Sequence, residues 1–390
     1  MVSLAYMIIS TDLPSKEERF LLTTNHALEL SSKNNVIVFV LDWFDQQIMD
    51  EILSQSPEFD RDLVDFTCYH NTSSCYAFTG QSIPYMLTSV EWEDDMSNDW
   101  QYIKYAFEHG KLLYDISERG YSVGVYTETQ YVAKPITELM INYSDDITIK
   151  LGYVKTIYTM SKTSKYKMAP FVAKKEFNYS TSDINEIITN NGVWTAGNDI
   201  VFHEMIERNG LSFPRNDTYD GAFRFYHLKG AHTPFDMNED FKNYCGNRIS
   251  QSRGALKIVY EYIQNMKKLG VYNDATIIIT ADHGQNTHIG EETFDPYDYG
   301  LTSSPILYVK LPNEHNDKVK YSNAPVSHKE LAATIINAVG ASTDSYGRTF
   351  DQISEEESRE RIFTFIGKNY QKWRISGDVN DITCWKLIEE

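Results

Sequence analysis

Short runs of apolar, β-branched residues alternate with longer helical patterns along most of this sequence. The run NVIVFVL, residues 35–41, is typical of a strand buried in a sheet. Similar runs occur at residues 121–127, 222–228, 275–280 and 305–311. Helical periodicity occupies residues 99–120 and 247–270, and each stretch stops at a glycine. This alternation predicts an α/β fold with a central, mostly parallel sheet flanked by helices on both faces.

The pattern changes near residue 313, where shorter pieces replace the regular alternation. One helical segment follows at residues 328–340, and the acidic stretch SEEESRERIF comes after it. A chain of 390 residues has enough material for one large domain with a smaller appendage. We therefore expect an N-terminal lead-in (1–34), a main domain (35–312) and a smaller C-terminal subdomain packed on the same core (313–390).

Charge and apolar patterning exclude some partners. The net charge is −19, and the basic residues are scattered rather than gathered in one stripe, which argues against a nucleic-acid surface. The longest apolar runs stop well short of the roughly 18–20 residues needed to span a bilayer. No secretory signal is visible at the start of the chain. Cys68 and Cys75 either form a bridge or remain reduced, and Cys245 and Cys384 are far from them in sequence.

Carboxylate and imidazole side chains follow three of the predicted strands. Asp42 follows the first strand, and Asp282 and His283 follow ATIIITA. His227 and His232 lie at and after the end of AFRFYHL. Ligands of open parallel sheets gather at the carboxyl ends of the strands, and Asp with His suits Zn²⁺ or Mn²⁺. Each residue also has a simpler interpretation: a helix N-cap, a solvated turn or a packing histidine.

The stretch TSSCYAFTGQSIPYMLTS, residues 72–89, combines small hydroxylated residues with two turn-formers. It is either a plain surface loop or a loop that holds the hydroxyl of Thr79 at the start of a helix. Ser82 and Pro84 are expected to shape the entry to that helix. Thr127 follows a strand end and is a candidate for lining a pocket.

Five motifs occur in an order and spacing that resemble the sulfatase-like branch of the alkaline phosphatase superfamily. They are NVIVFVLDWFD, TGQSIPYMLTS, FYHLKGAHTPF, TIIITADHG and VSHKELAATIINAVG, which together span residues 35–340. Sulfatases carry a Cys or Ser nucleophile followed by an arginine; this sequence has Thr79 there and no such arginine. The stretch TGQSIPYMLT is similar to phosphoethanolamine transferases, and FYHLKGAHTPF with ADHG is similar to lipoteichoic acid synthases and related glycerol phosphate transferases.

The resemblance implies a threonine nucleophile beside one divalent metal, most readily Mn²⁺, with Zn²⁺ or Mg²⁺ as alternatives. It implies Asp42, Thr79, Asp282 and His283 as the metal ligands. His232 is implied as the catalytic partner of Thr79, and we expect it to bind substrate together with His227 and Thr127. His288 lies near a possible second metal site, but the spacing does not match cleanly, and we expect one metal.

The function expected from this resemblance is transfer of glycerol phosphate from phosphatidylglycerol to an envelope glycan or polymer through a phosphothreonine intermediate. Proteins of this kind act at the extracellular face of the bacterial membrane, so we expect anchoring helices outside this chain. Alternatives of the same fold are a phosphoethanolamine transferase and a phosphodiesterase or sulfatase-like hydrolase. A more distant alternative is a glycan-binding domain without catalysis.

Overall fold

The central element of the computed structural model is a seven-stranded sheet. The structure describes residues 20–94, 96–146, 153–177, 192–195, 197, 199–242, 246–285, 304–367 and 369–389. Within them the strands are β1 (Leu21–Leu22), β2 (Asn34–Leu41), β3 (Thr67–Tyr69), β4 (Thr72–Ser73), β5 (Tyr121–Tyr126), β6 (Tyr143–Ser144), β7 (Gly221–Leu228), β8 (Thr276–Thr280), β9 (Leu307–Lys310), β10 (Lys320–Ser322), β11 (Val326–Ser327), β12 (Glu360–Ile366), β13 (Tyr370–Ser376) and β14 (Trp385–Glu389).

The helices of the described residues connect or cover these strands. They are α1 (Gln46–Gln55), α2 (Thr79–Thr88), α3 (Asp99–His109), α4 (Leu112–Glu118), α5 (Tyr153–Met168), α6 (Asp199–Asn209), α7 (Arg248–Leu269) and α8 (Lys329–Ala338). Short 3-10 turns occupy Pro57–Leu63, Thr129–Tyr131, Ile136–Leu139, Phe171–Phe177, Phe350–Gln352 and Ile382–Cys384. None of the described helices is long and apolar enough to span a membrane.

The seven strands lie in the order β10-β3-β9-β8-β2-β7-β5. β9 is antiparallel to both of its neighbours, and the other pairs are parallel. Seven of the eight residues of the central strand β2 are buried. A strand covered on both faces reads as a continuous apolar run, which is why its sequence was recognisable. The prediction of an α/β fold with a mostly parallel sheet is confirmed.

Alternate residues of β2 point into two separate cores, one on each face of the sheet. Ile37 and Phe39 pack in a cluster that includes residues of α1, α6 and α7. Val36 and Val38 pack in a second cluster with residues of α2, α3, α4 and α8. The helices thus cover both faces, and the carboxyl ends of the parallel strands remain open to loops at one edge.

Three details differ from the sequence-based expectation. The stretch 99–120 forms two helices, α3 and α4, because the chain is extended at Gly110. The run 305–311 is a shorter strand, and it is antiparallel to its neighbours. The acidic stretch near residue 360 enters β12, the first strand of a three-stranded antiparallel sheet with β13 and β14.

The C-terminal part of the chain contributes to two regions. β10 joins the large sheet beside β3, and β11 pairs with β4 just before α2. The separate antiparallel sheet begins at Glu360, and its Phe365 packs against Phe78, next to Thr79. The division of the chain at residue 312 stays a prediction.

Candidate active site

The carboxyl ends of three adjacent strands bring the candidate residues together. Asp42 follows β2, Asp282 comes two residues after the end of β8, and His227 is the next-to-last residue of strand β7. β2 is the middle strand of these three and is parallel to both neighbours. Parallel pairing delivers the residues after each strand to the same edge. The loop after β2 is tied to its neighbour by the Asp42 amide, which donates to the Leu228 carbonyl at 3.0 Å.

Asp42, Asp282 and His283 form a buried cluster of metal-ligand type. One ligand atom from each lies within 4.8 Å of the other two. The three residues are 8%, 0% and 3% exposed. Asp42 Oδ1 and Asp282 Oδ2 are buried and have no hydrogen-bond partner. Buried carboxylate oxygens without a donor are costly, and a divalent cation satisfies them, so this set fits Zn²⁺ or Mn²⁺.

Burial, followed by the neighbouring Asp282 carboxylate, raises the pKa of Asp42 well above its ordinary value. Burial also acts to raise the pKa of Asp282, but the nearby His283 and His227 more than offset it, and the pKa of Asp282 is lowered. Two carboxylates that share a dry site cannot both ionise without a compensating positive charge. The electrostatics of the cluster therefore favour binding of a cation.

His283 is oriented by its own backbone neighbour. Its Nδ1 lies 2.7 Å from the Gly284 carbonyl oxygen, which can only accept, so Nδ1 carries the proton. Nε2 is then left with a lone pair, and it lies 3.2 Å from the Thr79 hydroxyl. A carbonyl that fixes the tautomer of a histidine in this way is typical of metal-ligating imidazoles. His283 can thus present Nε2 to a cation or accept the Thr79 proton.

Thr79 is the first residue of α2, and its hydroxyl also helps to lower the pKa of the nearby Asp282. The N-cap residue, Phe78, has no side-chain acceptor for the first amides of the helix. Such amides favour an anion at the helix start. Ser82 lies further along α2, where its buried hydroxyl donates to the Tyr76 carbonyl at 3.4 Å. Pro84 is buried inside the same helix.

His227 lies under the cluster rather than in an open cleft. It is 1% exposed, its Nδ1 lies 3.0 Å from the Thr127 hydroxyl, and its Nε2 is 3.8 Å from Asp42 Oδ2. Nε2 has no hydrogen-bond partner, and burial lowers the pKa of the ring. The structure therefore brings His227 and Thr127 together beside Asp42. Their roles in substrate binding stay predictions.

His232 is partly exposed on the loop after β7, and its ring lies on the indole of Trp43, with the two centroids 4.1 Å apart. Its Nδ1 donates to the Thr233 carbonyl, which leaves Nε2 free to exchange a proton. Trp43 has a φ of 62°, a left-handed conformation that is rare for a bulky residue. Backbone strain of this kind often occurs at functional sites.

Two buried side chains that sequence reasoning missed hold the His232 loop. Asp199, at the start of α6, accepts from the amides of Lys229 and Gly230 at 2.9 and 3.2 Å. Gln251 of α7 donates to the Gly230 and His232 carbonyls at 3.1 and 2.8 Å. Gly230 itself has a φ of +57°, and a Cβ there would lie 2.7 Å from the Asp42 amide nitrogen. The loop is therefore seated directly on the backbone of Asp42.

The structure describes some but not all of the remaining histidine and cysteine candidates. His288 and Cys245 lie outside the described residues. Cys68, Cys75 and Cys384 are free thiols, so of the two alternatives for Cys68 and Cys75 the structure has the reduced one.

No protein-family model and no curated protein sequence matches this chain. Solved structures do. Ps i-CgsB in complex with k-i-k-neocarrahexaose has a TM-score of 0.57 at 13% identity, over 92% of this chain and 86% of that one. A protein in the alkaline phosphatase superfamily from Vibrio parahaemolyticus has a TM-score of 0.51 at 11% identity, over 98% and 88%. The phosphonate monoester hydrolase SpPMH from Silicibacter pomeroyi has 0.50 at 12%, over 88% and 85%.

This chain has an alkaline phosphatase-like fold. The resemblance drawn from the sequence motifs is thereby confirmed at the level of the fold. At 11 to 14% identity the likeness is to the architecture, and it carries no information about the substrate. In this alkaline phosphatase-like fold, the cluster of Asp42, Asp282 and His283 lies at the carboxyl edge of the central strands, where ligands of α/β sheets bind.

Proposed function

We propose that this chain is a metal-dependent phosphotransferase that moves glycerol phosphate from a phospholipid to an envelope glycan or polymer, with Thr79 as its nucleophile. One observation carries the proposal. The Thr79 hydroxyl lies at the start of a helix, 3.2 Å from His283 Nε2, and it is close enough to Asp282 of the buried acidic cluster to help lower the pKa of that carboxyl. A hydroxyl placed between ligand-type side chains and free helix amides is positioned to attack an anionic ester.

Asp42, Asp282 and His283, together with the Thr79 oxygen, would hold one divalent cation. When bound, the cation lowers the pKa of the threonine hydroxyl and balances the negative charge of the phosphoryl group. We assign Mn²⁺ first, with Zn²⁺ or Mg²⁺ as alternatives, because the two carboxylates suit Mn²⁺ and Mg²⁺ and the imidazole suits Zn²⁺. The unpartnered oxygens of Asp42 and Asp282 support this assignment.

In the first half of the reaction, the Thr79 oxygen forms a bond to phosphorus while the bond to the lipid alcohol breaks. The first amides of α2 face the phosphoryl oxygens and stabilise their charge. His232 passes the proton of the Thr79 hydroxyl to the leaving alcohol, because its Nε2 is free and its ring is held against Trp43. The products are a phosphodiester on Thr79 and a diacylglycerol.

In the second half, a hydroxyl of the acceptor attacks the same phosphorus and displaces the Thr79 oxygen. His232 takes the acceptor proton and returns it to Thr79, so protons and charges balance over the two steps. Burial lowers the pKa of His232, which keeps the ring neutral and able to accept that proton. His227 and Thr127 lie beside Asp42, and we assign them to the wall of the substrate site.

The lipid donor and the location are the finer parts of the proposal. Phosphatidylglycerol as donor rests on the resemblance of FYHLKGAHTPF and ADHG to glycerol phosphate transferases, and so does action at the extracellular face of a bacterial membrane. The stretch TGQSIPYMLT favours a second candidate, phosphoethanolamine transfer. The lack of an arginine after Thr79 argues against sulfate ester hydrolysis.

Mass spectrometry of the protein after incubation with a lipid donor and Mn²⁺ tests the proposal. Phosphatidylglycerol and phosphatidylethanolamine are supplied separately, and the mass of the adduct on Thr79 identifies the group transferred. Thr79→Ala should lose the adduct and reduce turnover by about 10⁴–10⁶. It should lower the free energy of unfolding by only about 1 kcal/mol.

Ser82→Ala is the matched control, because Ser82 carries a hydroxyl on the same helix that bonds a backbone carbonyl. It should retain the adduct and most of the turnover. An adduct that persists in Thr79→Ala and disappears in Ser82→Ala would assign the nucleophile to Ser82 instead. Absence of any adduct or turnover with both lipids and with chromogenic phosphodiesters would favour the glycan-binding alternative.

A further inference from the structure

The segment 153–177 carries an unusual exposed apolar surface. It consists of α5 and the 3-10 turn Phe171–Phe177. Eight large apolar side chains in it are 63% to 89% exposed: Tyr153, Val154, Ile157, Tyr158, Met160, Met168, Phe171 and Val172. Elsewhere in the described residues, no large apolar side chain is more than 50% exposed. Contiguous apolar patches of this kind on a solvent-exposed protein surface indicate a binding surface.

The exposed apolar side chains of α5 lie on one broad face of the helix, with Val154 and Tyr158 at its edge. Spacings of four, three and eight residues place side chains on the same side of an α-helix, and they separate Tyr153, Ile157, Met160 and Met168. Thr159, on a different face, is 4% exposed. The helix therefore turns a polar residue inward and its apolar stripe outward, which is the reverse of a helix that packs on its own core.

The same segment is strongly basic in an acidic protein. Residues 153–177 contain six lysines and one glutamate, a net charge of +5, whereas the whole chain carries −19. Removing this segment leaves −24 on the rest. The expectation that basic residues are scattered along the chain is therefore wrong for this segment. Lys165, Lys167 and Lys175 are exposed, and they lie beside the apolar residues.

The combination of lysines and apolar residues identifies the partner. An anionic bilayer offers negative headgroups to the lysines and an apolar layer to Ile157 and Phe171, and long lysine stems allow both contacts at once. A nucleic acid would leave the aliphatic side chains in water. A second copy of the chain would offer acidic surface, but no comparable apolar patch among the described residues except this one, whose positive charge repels its own kind.

We propose that residues 153–177 dock this protein on an anionic phospholipid surface, with the apolar stripe of α5 and Phe171–Val172 in the interface and the lysines at the headgroups. The proposal rests on this surface and is independent of the function assigned to Thr79.

Sedimentation with lipid vesicles tests the proposal. The vesicles contain either phosphatidylcholine alone or a mixture of phosphatidylcholine and phosphatidylserine, which is neither of the proposed donors and so does not report on the active site. The wild-type protein should bind the mixed vesicles at least about tenfold more tightly than the neutral ones, and added salt should weaken that binding.

Two variants separate the charge from the apolar contact. Replacing Lys165, Lys167 and Lys175 by Gln should weaken binding to mixed vesicles by at least about tenfold, since each lysine near such a surface contributes about fivefold. Replacing Phe171 and Val172 by Ser should also weaken vesicle binding. The residual binding of this variant should still decrease with added salt, because its lysines are intact. Both variants should have the same melting temperature as the wild type, because the replaced side chains are exposed to solvent.

Lys242→Gln combined with Phe213→Ser is the matched control, because both residues are exposed and lie outside the segment. It should bind like the wild type. Equal binding to neutral and mixed vesicles, or unchanged binding of the lysine variant, would overturn the proposal. Tighter binding of a DNA or RNA oligonucleotide than of mixed vesicles, lost in the lysine variant, would overturn it in favour of a nucleic acid. Dimerisation lost in the variants, without vesicle binding, would assign the surface to self-association.

Discussion

The buried pair Asp42 and Asp282 should destabilise the protein until a cation binds. Their ligand atoms lie within 4.8 Å of one another, and at an effective dielectric constant of about 20 two such charges repel by about 3.5 kcal/mol. Replacing Asp42 by Asn removes the repulsion and keeps the shape of the side chain. We therefore expect metal-free Asp42→Asn to be more stable than the metal-free wild type by about 2–3 kcal/mol at pH 8.

The effect has a defined direction with pH. Because the pKa of Asp42 is raised in the folded protein, its carboxyl is protonated in both states in acid, and the cost is absent there. The cost develops as the pH rises through the folded pKa. The advantage of Asp42→Asn should therefore shrink toward pH 4.

Metal should reverse the order of stability. A ligand at one thousand times its Kd stabilises a protein by about 4.1 kcal/mol, which exceeds the variant's advantage of about 2–3 kcal/mol, and the wild type should gain this from Mn²⁺ or Zn²⁺. Asp42→Asn lacks one charged ligand and should gain much less. The measurement is urea-induced unfolding of both proteins, first in EDTA and then with the metal. In EDTA the variant should be the more stable protein, and with metal the wild type.

Asp199→Asn is the matched control, because Asp199 is a buried carboxylate that bonds backbone amides outside the cluster. Its offset from the wild type should be the same with and without metal. The reasoning fails if Asp42→Asn is less stable than the wild type by one constant amount in both conditions. That result would make Asp42 an ordinary structural acceptor rather than a member of a cation site.

Two further predictions concern the loop that carries His232. Gln251→Leu leaves buried backbone carbonyls of the loop unpaired, so it should lower the free energy of unfolding by about 3 kcal/mol, measured by urea titration. Because the loop positions His232, turnover in steady-state assays should fall by about tenfold or more. Turnover at the wild-type level would contradict the positioning role of Gln251. Burial raises the pKa of Asp199 to about 6, so between about pH 4 and pH 6 the wild type should lose up to about 3 kcal/mol relative to Asp199→Asn. A difference between these proteins that does not change with pH in urea titrations would contradict it.

The central strands could be predicted because burial on both faces removes polar residues from the run. β2 is the clearest case, with seven buried residues in succession. The end of α3 could not be predicted from periodicity, since the helical pattern continues through it. The turn needs a glycine at Gly110, because a Cβ there would lie 2.6 Å from the Thr88 side chain of α2, a contact between distant segments.

The antiparallel sheet at the C-terminus was missed for a related reason. β12 begins with Glu360 and Arg361, and Arg361 is buried although it is charged, because it donates to the Asn71 carbonyl at 2.7 Å. A buried arginine breaks the apolar alternation that identifies a strand. Tertiary contacts with the carbonyls of Asn71, Val326 and Gly377 explain why this charged residue lies inside.

The candidate site shows the same division. Asp42, Asp282 and His283 could be placed together because each follows a strand of the same parallel set, although their roles stay predictions. Trp43 and Gln251 could not, because their contacts depend on the path of the loop after β7. No local pattern in the sequence determines that path, whereas the hydrogen bonds of Gln251 define it.

The backbone of residues 42 and 43 links the two halves of the site. The Asp42 carboxylate belongs to the buried cluster, while its carbonyl accepts from the Ala231 amide at 2.8 Å, next to His232. The adjacent Trp43 supports the His232 ring and lies with its amide 3.4 Å from Asp282 Oδ1. A shift of this short segment therefore moves a ligand of the cluster and the proposed proton carrier together. Because protein interiors are closely packed, residues 42 and 43 have few alternative positions. The left-handed conformation of Trp43 is therefore explained as the backbone geometry that satisfies both the acidic cluster and the His232 loop.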